Sequence, residues 1–304
     1  MKISIIIPVY NRTNELQMVL ESLAHQTLSF DCFEACIADD GSAEDVQGLV
    51  NEFLRKHPGL QLKYARQEDD GYRVAAARNL GVDMAVGEII VYSDNGMILR
   101  SNTLEKHIEW HKKYGENLVA LCNMRATGWG SDVKRILEII ETSDSYDKAM
   151  DVMREEGIND GRVGYLFEKL GYDIDSWYVP WLSLWSGHFS VNANFVKKNG
   201  IRWNELFNSW GCEDTEYGVQ LHENGGSFHF CDDVEVIHYP TPDSKAVTLS
   251  AFEEEETKKN HERMRELIIS LHPDNHRVQV WGEMRGSANF DDEREKFFKE
   301  KGWA

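Results

Sequence analysis

The first ~120 residues alternate short apolar runs with helix-spaced segments, and this alternation constrains the fold more than any other feature. KISIIIPVY (residues 2–10) is a continuous apolar run that ends at proline, as a strand buried on both faces does. In residues 13–26, apolar Leu16, Val19, Leu20 and Leu23 fall at helical spacing, with Thr13 as the expected cap. FEACIADDGS then predicts a second strand ending in acids, residues 43–56 a second helix, and LQLKYARQ a third strand. VAAARNLGVDMAVG predicts a third helix with a glycine stop, and EIIVYSDNG a fourth strand. Strands separated by helices imply a parallel wound sheet, and ligands in such sheets lie beyond the carboxyl ends of the strands. Asp39, Asp40, Asp94 and Asn95 all fall at those ends.

The remaining sequence has a different character. Residues 130–175 are charged and helix-prone, and predict a helical insertion. Residues 180–240 are mixed and dense in Trp, His and Gly, and residues 250–272 predict an amphipathic helix. A polar tail follows. The expected division is 1–129, 130–179 (insertion), 180–244 and 245–304 (helical extension). The acidic run Glu253–Glu256 reads as a solvated helix start.

Composition narrows the function classes. With 41% apolar residues in 304 the chain has ample material for a core. A net charge of −19 argues against nucleic acid and against an anionic membrane surface as partners. No run approaches the ~18 apolar residues of a membrane span, and the N-terminal MKISIIIPVYNR lacks a signal cleavage site. The five cysteines form no CxxC pair and no zinc spacing, so they read as reduced thiols of a cytoplasmic protein.

Each chemical motif has a plain structural reading beside its functional one. ADDGS is a strand-to-helix turn, or a carboxylate that accepts from a nucleotide base or ribose. Arg78 lies within an apolar helical stretch, so it needs an anionic partner, either a strand-end acid or a ligand phosphate. SDNG is an Asn-Gly turn, or two oxygen donors for a hard divalent cation. Glu213 and Asp214 open a helix, where acids favour the positive end; alternatively, two neighbouring carboxylates divide general-base and acceptor-holding roles. His238 ends the run VEVIHYP as a structural histidine or a metal ligand. Trp181, Trp185, Trp203 and Trp210 crowd one region with SGH at 186–188; most of these indoles suit a core, and one or two suit a wall for a sugar ring.

In order along the chain, IIIPVYNR, ADDGS and DGYRVAAARNLGVDMAVGEIIVYSDNG resemble family-2 glycosyltransferases of the GT-A fold. SLWSGHFSVNANFVKKNG, WGCEDTEYGVQLHENGG and VEVIHYP resemble the galactosyltransferase-like C-terminal half of chondroitin-polymerase-type enzymes. The resemblance covers residues 1–240 and implies an α/β, GT-A-like nucleotide-binding wound sheet, with a helical insertion and a helical C-terminal tail outside it. It implies inverting transfer of a sugar from a nucleotide sugar, most simply a UDP-sugar, to an acceptor hydroxyl, with Mn²⁺ or Mg²⁺, as in polysaccharide biosynthesis.

By the same resemblance, Pro8, Tyr10 and Asn11 border the nucleotide, Asp40 holds the base, and Arg78 lies close by. Asp94 meets the ribose or the metal, Asn95 takes the second metal position, and His238 completes the metal site. Asp214 is the general base, with Glu213 on the acceptor side beside Trp185, His188 and Trp210. Two positions depart from the family pattern: Asn95 stands where a second acid is usual, and His188 where asparagine is frequent. Alternatives of other classes are a catalytically weak nucleotide- or sugar-binding protein and the same transfer to a peptide or small molecule. A nucleotidyltransferase would need a basic phosphate-gripping loop, for which the N-terminal motif supplies only Arg12. The amphipathic C-terminal helix is the expected surface for any self-association.

Overall fold

The computed structural model describes residues 2–126, 132–240, 255–283 and 299–302. The strands are β1 (Ile3–Val9), β2 (Phe33–Asp39), β3 (Leu62–Arg66), β4 (Ile89–Ser93), β5 (Met97–Leu99), β6 (Leu118–Arg125), β7 (His188–Asn192) and β8 (Ser227–His238). The helices are α1 (Thr13–Ala24), α2 (Val46–Lys56), α3 (Val74–Met84), α4 (Thr103–Tyr114), α5 (Val133–Thr142), α6 (Tyr146–Glu155), α7 (Glu168–Leu170), α8 (Ala193–Lys198), α9 (Glu213–Glu223), α10 (Glu255–Leu271) and α11 (His276–Gly282). All eight strands form one sheet in the order β3-β2-β1-β4-β7-β6-β8-β5.

Period-two alternation in β1 decides how the sheet is covered. Ile3, Ile5, Ile7 and Val9 face one side and pack with Leu16, Val19, Leu20 and Leu23 of α1 and Val50 and Phe53 of α2. Ile6 faces the other side, in one cluster with Ala75 of α3. There α3 sits close, because a Cβ at Gly81 would come within 2.4 Å of Ile6 Cγ2. Each fully buried Ile or Leu contributes ~1.5–3 kcal/mol, and a one-residue slip of β1 would turn the row packed on α1 to the α3 side and lose that packing.

The first four strands pair in parallel, as the alternation predicts. Beyond β4 the sheet is mixed: β7 runs antiparallel to β4 and β6, β5 antiparallel to β8, and β6 parallel to β8. The wound sheet is therefore completed by a partly antiparallel half. The pairing of Val9 with Asp39 and of Ser93 with His188 brings the ends of β1, β2 and β4 and the start of β7 to one edge.

Thr13 does not cap α1. Arg12 occupies the N-cap in a left-handed conformation, and Glu44 supplies the missing acceptor, taking the N–H groups of Arg12 and Thr13. The described part of the insertion, residues 132–179, is helical and without strand. Its α5 and α6 bury Ile136, Ile139, Met150 and Met153 against Ile98, Ala126 and Ile237. Buried Glu235 ties this layer down by accepting from Arg100, Arg125 and Arg154.

Met264 and Ile268 of α10 and Val278 and Trp281 of α11 join the main core. The apolar face expected to serve self-association is thus covered by the chain's own core. His272 fixes the position of α10 by reaching Glu216 and Glu223 of α9. Glu253 and Glu254 of the acidic run, and most of the predicted polar tail, lie outside the described residues.

Candidate active site

Two acids terminate β2, and each is held differently from what a free turn would show. Asp39 accepts from Ser42 N–H (2.8 Å) and Tyr64 Oη (2.7 Å), which closes the turn. Asp40 is nearly buried, at 6% exposure, and accepts from the Gln67 amide (2.5 Å) and Arg73 N–H (3.0 Å). Burial raises the Asp40 pKa, and those two donors work against the rise. Gly41, at φ +87°, is required here, since a Cβ would lie 2.4 Å from the Asp69 backbone nitrogen.

The β1 end wraps against this turn. Pro8 is buried, opposite Ala38 in the β1–β2 register and past the last β1–β4 pair, so its missing N–H breaks no bond to β4. Asn11, at φ +55°, accepts from the backbone N–H groups of Ala43 (2.9 Å) and Glu44 (3.2 Å). Tyr10 is half exposed and its hydroxyl reaches Asp69 at 3.2 Å. Pro8, Tyr10, Asn11 and Asp40 therefore share one rim.

Arg78 occupies the centre. It is 1% exposed and donates to Asp94 Oδ1 (2.8 Å), Glu213 Oε1 (3.1 Å) and Ser186 Oγ (2.9 Å). Its guanidinium carbon lies 4.3 Å from the centroid of the Trp203 indole, a cation–π contact. Burial opposes its charge, but Asp94 and Glu213 outweigh that and hold the guanidinium more firmly protonated than usual. The strand-end acid is thus the partner of this arginine. One cation joins the β4 end to the α9 start, and its own reach to Glu213 crosses 135 residues of sequence.

The start of α9 is built on unusual backbone. Gly211 (φ +101°) and Cys212 (φ +70°) are both left-handed, and a Cβ at Gly211 would fall 2.6 Å from His261 of α10. This sharp turn delivers Glu213 and Asp214 consecutively to the cleft. Asp214 is partly exposed and accepts from Thr215 N–H at 2.7 Å. Burial first, and then the neighbouring Glu213 carboxylate, push its pKa up to about 7, against the pull of the Thr215 N–H and Arg78. Glu213 is 5% exposed, and its Oε2 is buried without a partner among the described residues. The Tyr72 hydroxyl is pushed well above its ordinary pKa by burial and then by Glu213.

The four residues of the 94–97 segment and His238 adjoin one another through backbone. Met97 pairs with His238, and Tyr239 N–H donates to Gly96 O at 2.9 Å. The Asn95 amide nitrogen donates to Arg12 O at 3.1 Å, and the carbonyl Oδ1 is buried without a partner among the described residues. Burial and then Arg12 lower the His238 pKa to about 4, so its ring is neutral at pH 7. By type, a carboxylate, an amide oxygen and a neutral imidazole are donors that a divalent cation takes.

The predicted acceptor residues separate. Trp210 is 41% exposed and Trp185 partly buried. His188 has no exposed surface; its Nδ1 meets Ser93 Oγ at 2.9 Å and its Nε2 meets His107 at 3.1 Å. It points into the α4 side of the sheet and cannot touch an acceptor in the cleft. Trp181 and Trp203 are core. Sequence reasoning missed the parts played by Ser186 and Trp203 around Arg78, and by Gln67 and Arg73 N–H on Asp40. Only the general rule that a buried arginine needs partners pointed toward the first pair.

A parallel half completed by a partly antiparallel one, with acids gathered at one edge, is the architecture of the GT-A fold. The chain belongs to Glycosyl transferase family 2, whose profile matches residues 4–165. That span crosses the expected boundary at 129. Validoxylamine A glucosyltransferase of Streptomyces hygroscopicus subsp. jinggangensis is 29% identical over 228 residues, 73% of this chain and 52% of that protein. Chondroitin synthase of Pasteurella multocida is 28% identical over 258 residues, 79% of this chain and 25% of that protein. The chain therefore spans about half or less of the length of these two relatives. Among solved structures, S. aureus TarS 1–349 in complex with UDP shares the fold at TM-score 0.62 and 17% identity, over 93% of this chain and 71% of that one. The mannosyltransferase PcManGT of Pyrobaculum calidifontis, in complex with GDP-Man and Mn²⁺, shares it at TM-score 0.55 and 14% identity, over 99% and 79%.

Proposed function

We propose that this chain transfers a sugar from a UDP-sugar to an acceptor hydroxyl with inversion at the anomeric carbon. The observation that carries the reading is the Arg78 bridge. It links the β4-end acid Asp94 to Glu213 and so sets Asp214, with its pKa near 7, beside the donor edge. A carboxylate with that pKa is suited to accept a proton at neutral pH.

In the proposed step the acceptor oxygen attacks the anomeric carbon while the bond from that carbon to the diphosphate oxygen breaks. The acceptor proton passes to Asp214 and the nucleoside diphosphate leaves. Glu213 Oε2, which lacks a partner among the described residues, would accept from an acceptor hydroxyl and orient it. Pro8, Tyr10 and Asn11 line the nucleotide, and Asp40 accepts from the base. Trp210 and Trp185 supply the aromatic side of the acceptor cleft. Asp94, Asn95 and His238 would hold Mn²⁺ or Mg²⁺, which neutralises charge on the departing diphosphate when bound. UDP as the nucleotide draws support from the TarS complex. The net charge of −19 makes a local cation all the more necessary for an anionic donor.

The test incubates the full chain with a panel of UDP-sugars, Mn²⁺ and glycan, peptide and small-molecule acceptors, and measures UDP release and product. Product with an inverted anomeric centre is the expected result. Stabilisation by UDP and Mn²⁺ together with no product from any acceptor would favour a binding protein. No thermal shift with any nucleotide would remove the donor assignment.

A further inference from the structure

Behind the donor turn, on the face of the sheet opposite Arg78, three potential ligands converge with no exposed surface: His107 of α4, Cys122 of β6 and His188 of β7. None of them takes part in the proposed transfer. The two imidazoles approach with Nε2 atoms 3.1 Å apart, and Cys122 Sγ lies 3.7 Å from His107 Nε2. All three ligand atoms fall within 4.8 Å of one another. A tetrahedral Zn²⁺ with Zn–N of ~2.05 Å and Zn–S of ~2.3 Å separates two nitrogens by about 3.3 Å and nitrogen from sulfur by about 3.6 Å. Two of the three separations are already close to those values, and the third lies within 4.8 Å.

The surrounding groups match what orients metal ligands. Each imidazole has its far nitrogen on a serine hydroxyl: His107 Nδ1 on Ser190 Oγ at 2.8 Å, and His188 Nδ1 on Ser93 Oγ at 2.9 Å. Ser190 also meets His111 Nε2 at 2.9 Å, and a hydroxyl oxygen has two lone pairs to accept from both rings. When both Nδ1 atoms donate, the two Nε2 lone pairs face each other in a dry interior, where a cation between them removes the repulsion.

We propose that His107, Cys122 and His188 form a buried Zn²⁺ site that pins α4, β6 and β7 together behind the donor edge. Cys122 would bind as thiolate, its proton released to solvent, and a water would fill the fourth position. Ser93 immediately precedes Asp94, so the site fixes the backbone from which the donor turn departs. Because the ligands are fully buried, the ion enters as the chain folds.

The test uses the full chain without a metal-binding tag, dialysed against EDTA to strip exposed divalent ions and analysed for metal. About one zinc per chain is expected to survive dialysis. The protein is then unfolded with chelator and refolded with Co²⁺. A thiolate-to-cobalt charge-transfer band is expected in the parent, retained in Asp94→Ala and absent from Cys122→Ser, which keeps the four other cysteines. Refolding with Zn²⁺ should raise Tm in the parent and leave Cys122→Ser unchanged. Zinc far below one per chain, together with no cobalt band, overturns the site and leaves a direct His107–His188 hydrogen bond. Should Cys122→Ser fail to fold, metal analysis of the native protein still decides.

Discussion

Asp40 follows a strand end and Asp214 lies in the first turn of a helix, and their surroundings differ in a way that suits the opposite tasks proposed for them. Asp40 is nearly buried, but neutral donors meet it: a Gln67 amide and the Arg73 backbone N–H. Asp214 has the N–H of its own next residue and a second carboxylate at its side, and its pKa rises to about 7. An acid fixed by neutral donors suits holding a ligand, whereas one crowded by a like charge suits changing its protonation state. Residue type alone does not separate the two. The second carboxylate, Glu213, beside Asp214 does.

The sharpest break of that comparison is Asp214→Asn. Turnover should fall by ~10²–10⁴-fold, with donor affinity measured by UDP titration nearly unchanged. In the parent, kcat/KM should drop with a single-proton slope below the Asp214 pKa of about 7, because only the ionised form accepts a proton. Stability should move the other way. The folded pKa lies above the ordinary aspartate value of 3.8, so ionised Asp214 destabilises the fold above that value and does so fully above about 7. Discounted for its partial exposure, the asparagine variant should gain ~1–2 kcal/mol at pH 8 and nothing near pH 4 in urea unfolding. Near-normal turnover in a folded variant would sink the base assignment.

Arg78→Ala comes next. It leaves Asp94 and Glu213 facing each other without the cation between them, and removal of one partner from a buried ion pair costs ~3–5 kcal/mol. Urea unfolding should show that loss, and Arg78→Lys should recover only part of it, because an ammonium cannot fork to two acids and Ser186 while stacking on Trp203. A variant as stable as the parent would mean that the bridge is not closed in solution.

Asp40→Ala sharpens the contrast from the other side. It orphans the Gln67 amide and the Arg73 N–H, and it removes the acceptor for the base. Donor KM should rise about tenfold, with kcat within a few-fold and no change in the pH profile. A collapse of kcat instead would merge the two acids into one role.

Much of the donor rim is legible in the sequence, because it rests on local rules. An apolar run ending in acids is a strand end, and parallel strands align such ends. What was illegible depends on distant pairing or on strand parity. Nothing local tells that Arg78 reaches Glu213, or that Glu44 rather than Thr13 satisfies the start of α1. His188 shows the parity problem: in HFSVN the polar row His188, Ser190 and Asn192 alternates cleanly with Phe189 and Val191, but alternation does not say which layer the polar row faces. The fold turned it toward α4, away from the cleft. The antiparallel second half was equally hidden, since β7 and β8 find their partners across insertions rather than across short turns.

Asn95→Asp should have the smallest effect, and it tests whether the turn is only a turn. The native amide donates to Arg12 O, and its Oδ1 is buried without a partner among the described residues. A carboxylate there would set an oxygen against that carbonyl and a second negative charge beside Asp94, so the variant in EDTA should melt lower than the parent. A divalent cation neutralises that charge. The gap in Tm between Mn²⁺ and EDTA should therefore widen, and the apparent Mn²⁺ affinity should tighten by a few-fold, on the order of 1 kcal/mol for an added, partly solvated charge. An unchanged gap would confine Asn95 to turn geometry and leave Asp94 and His238 as the cation's protein ligands, a set in which the base-side acid Asp40 still has no part.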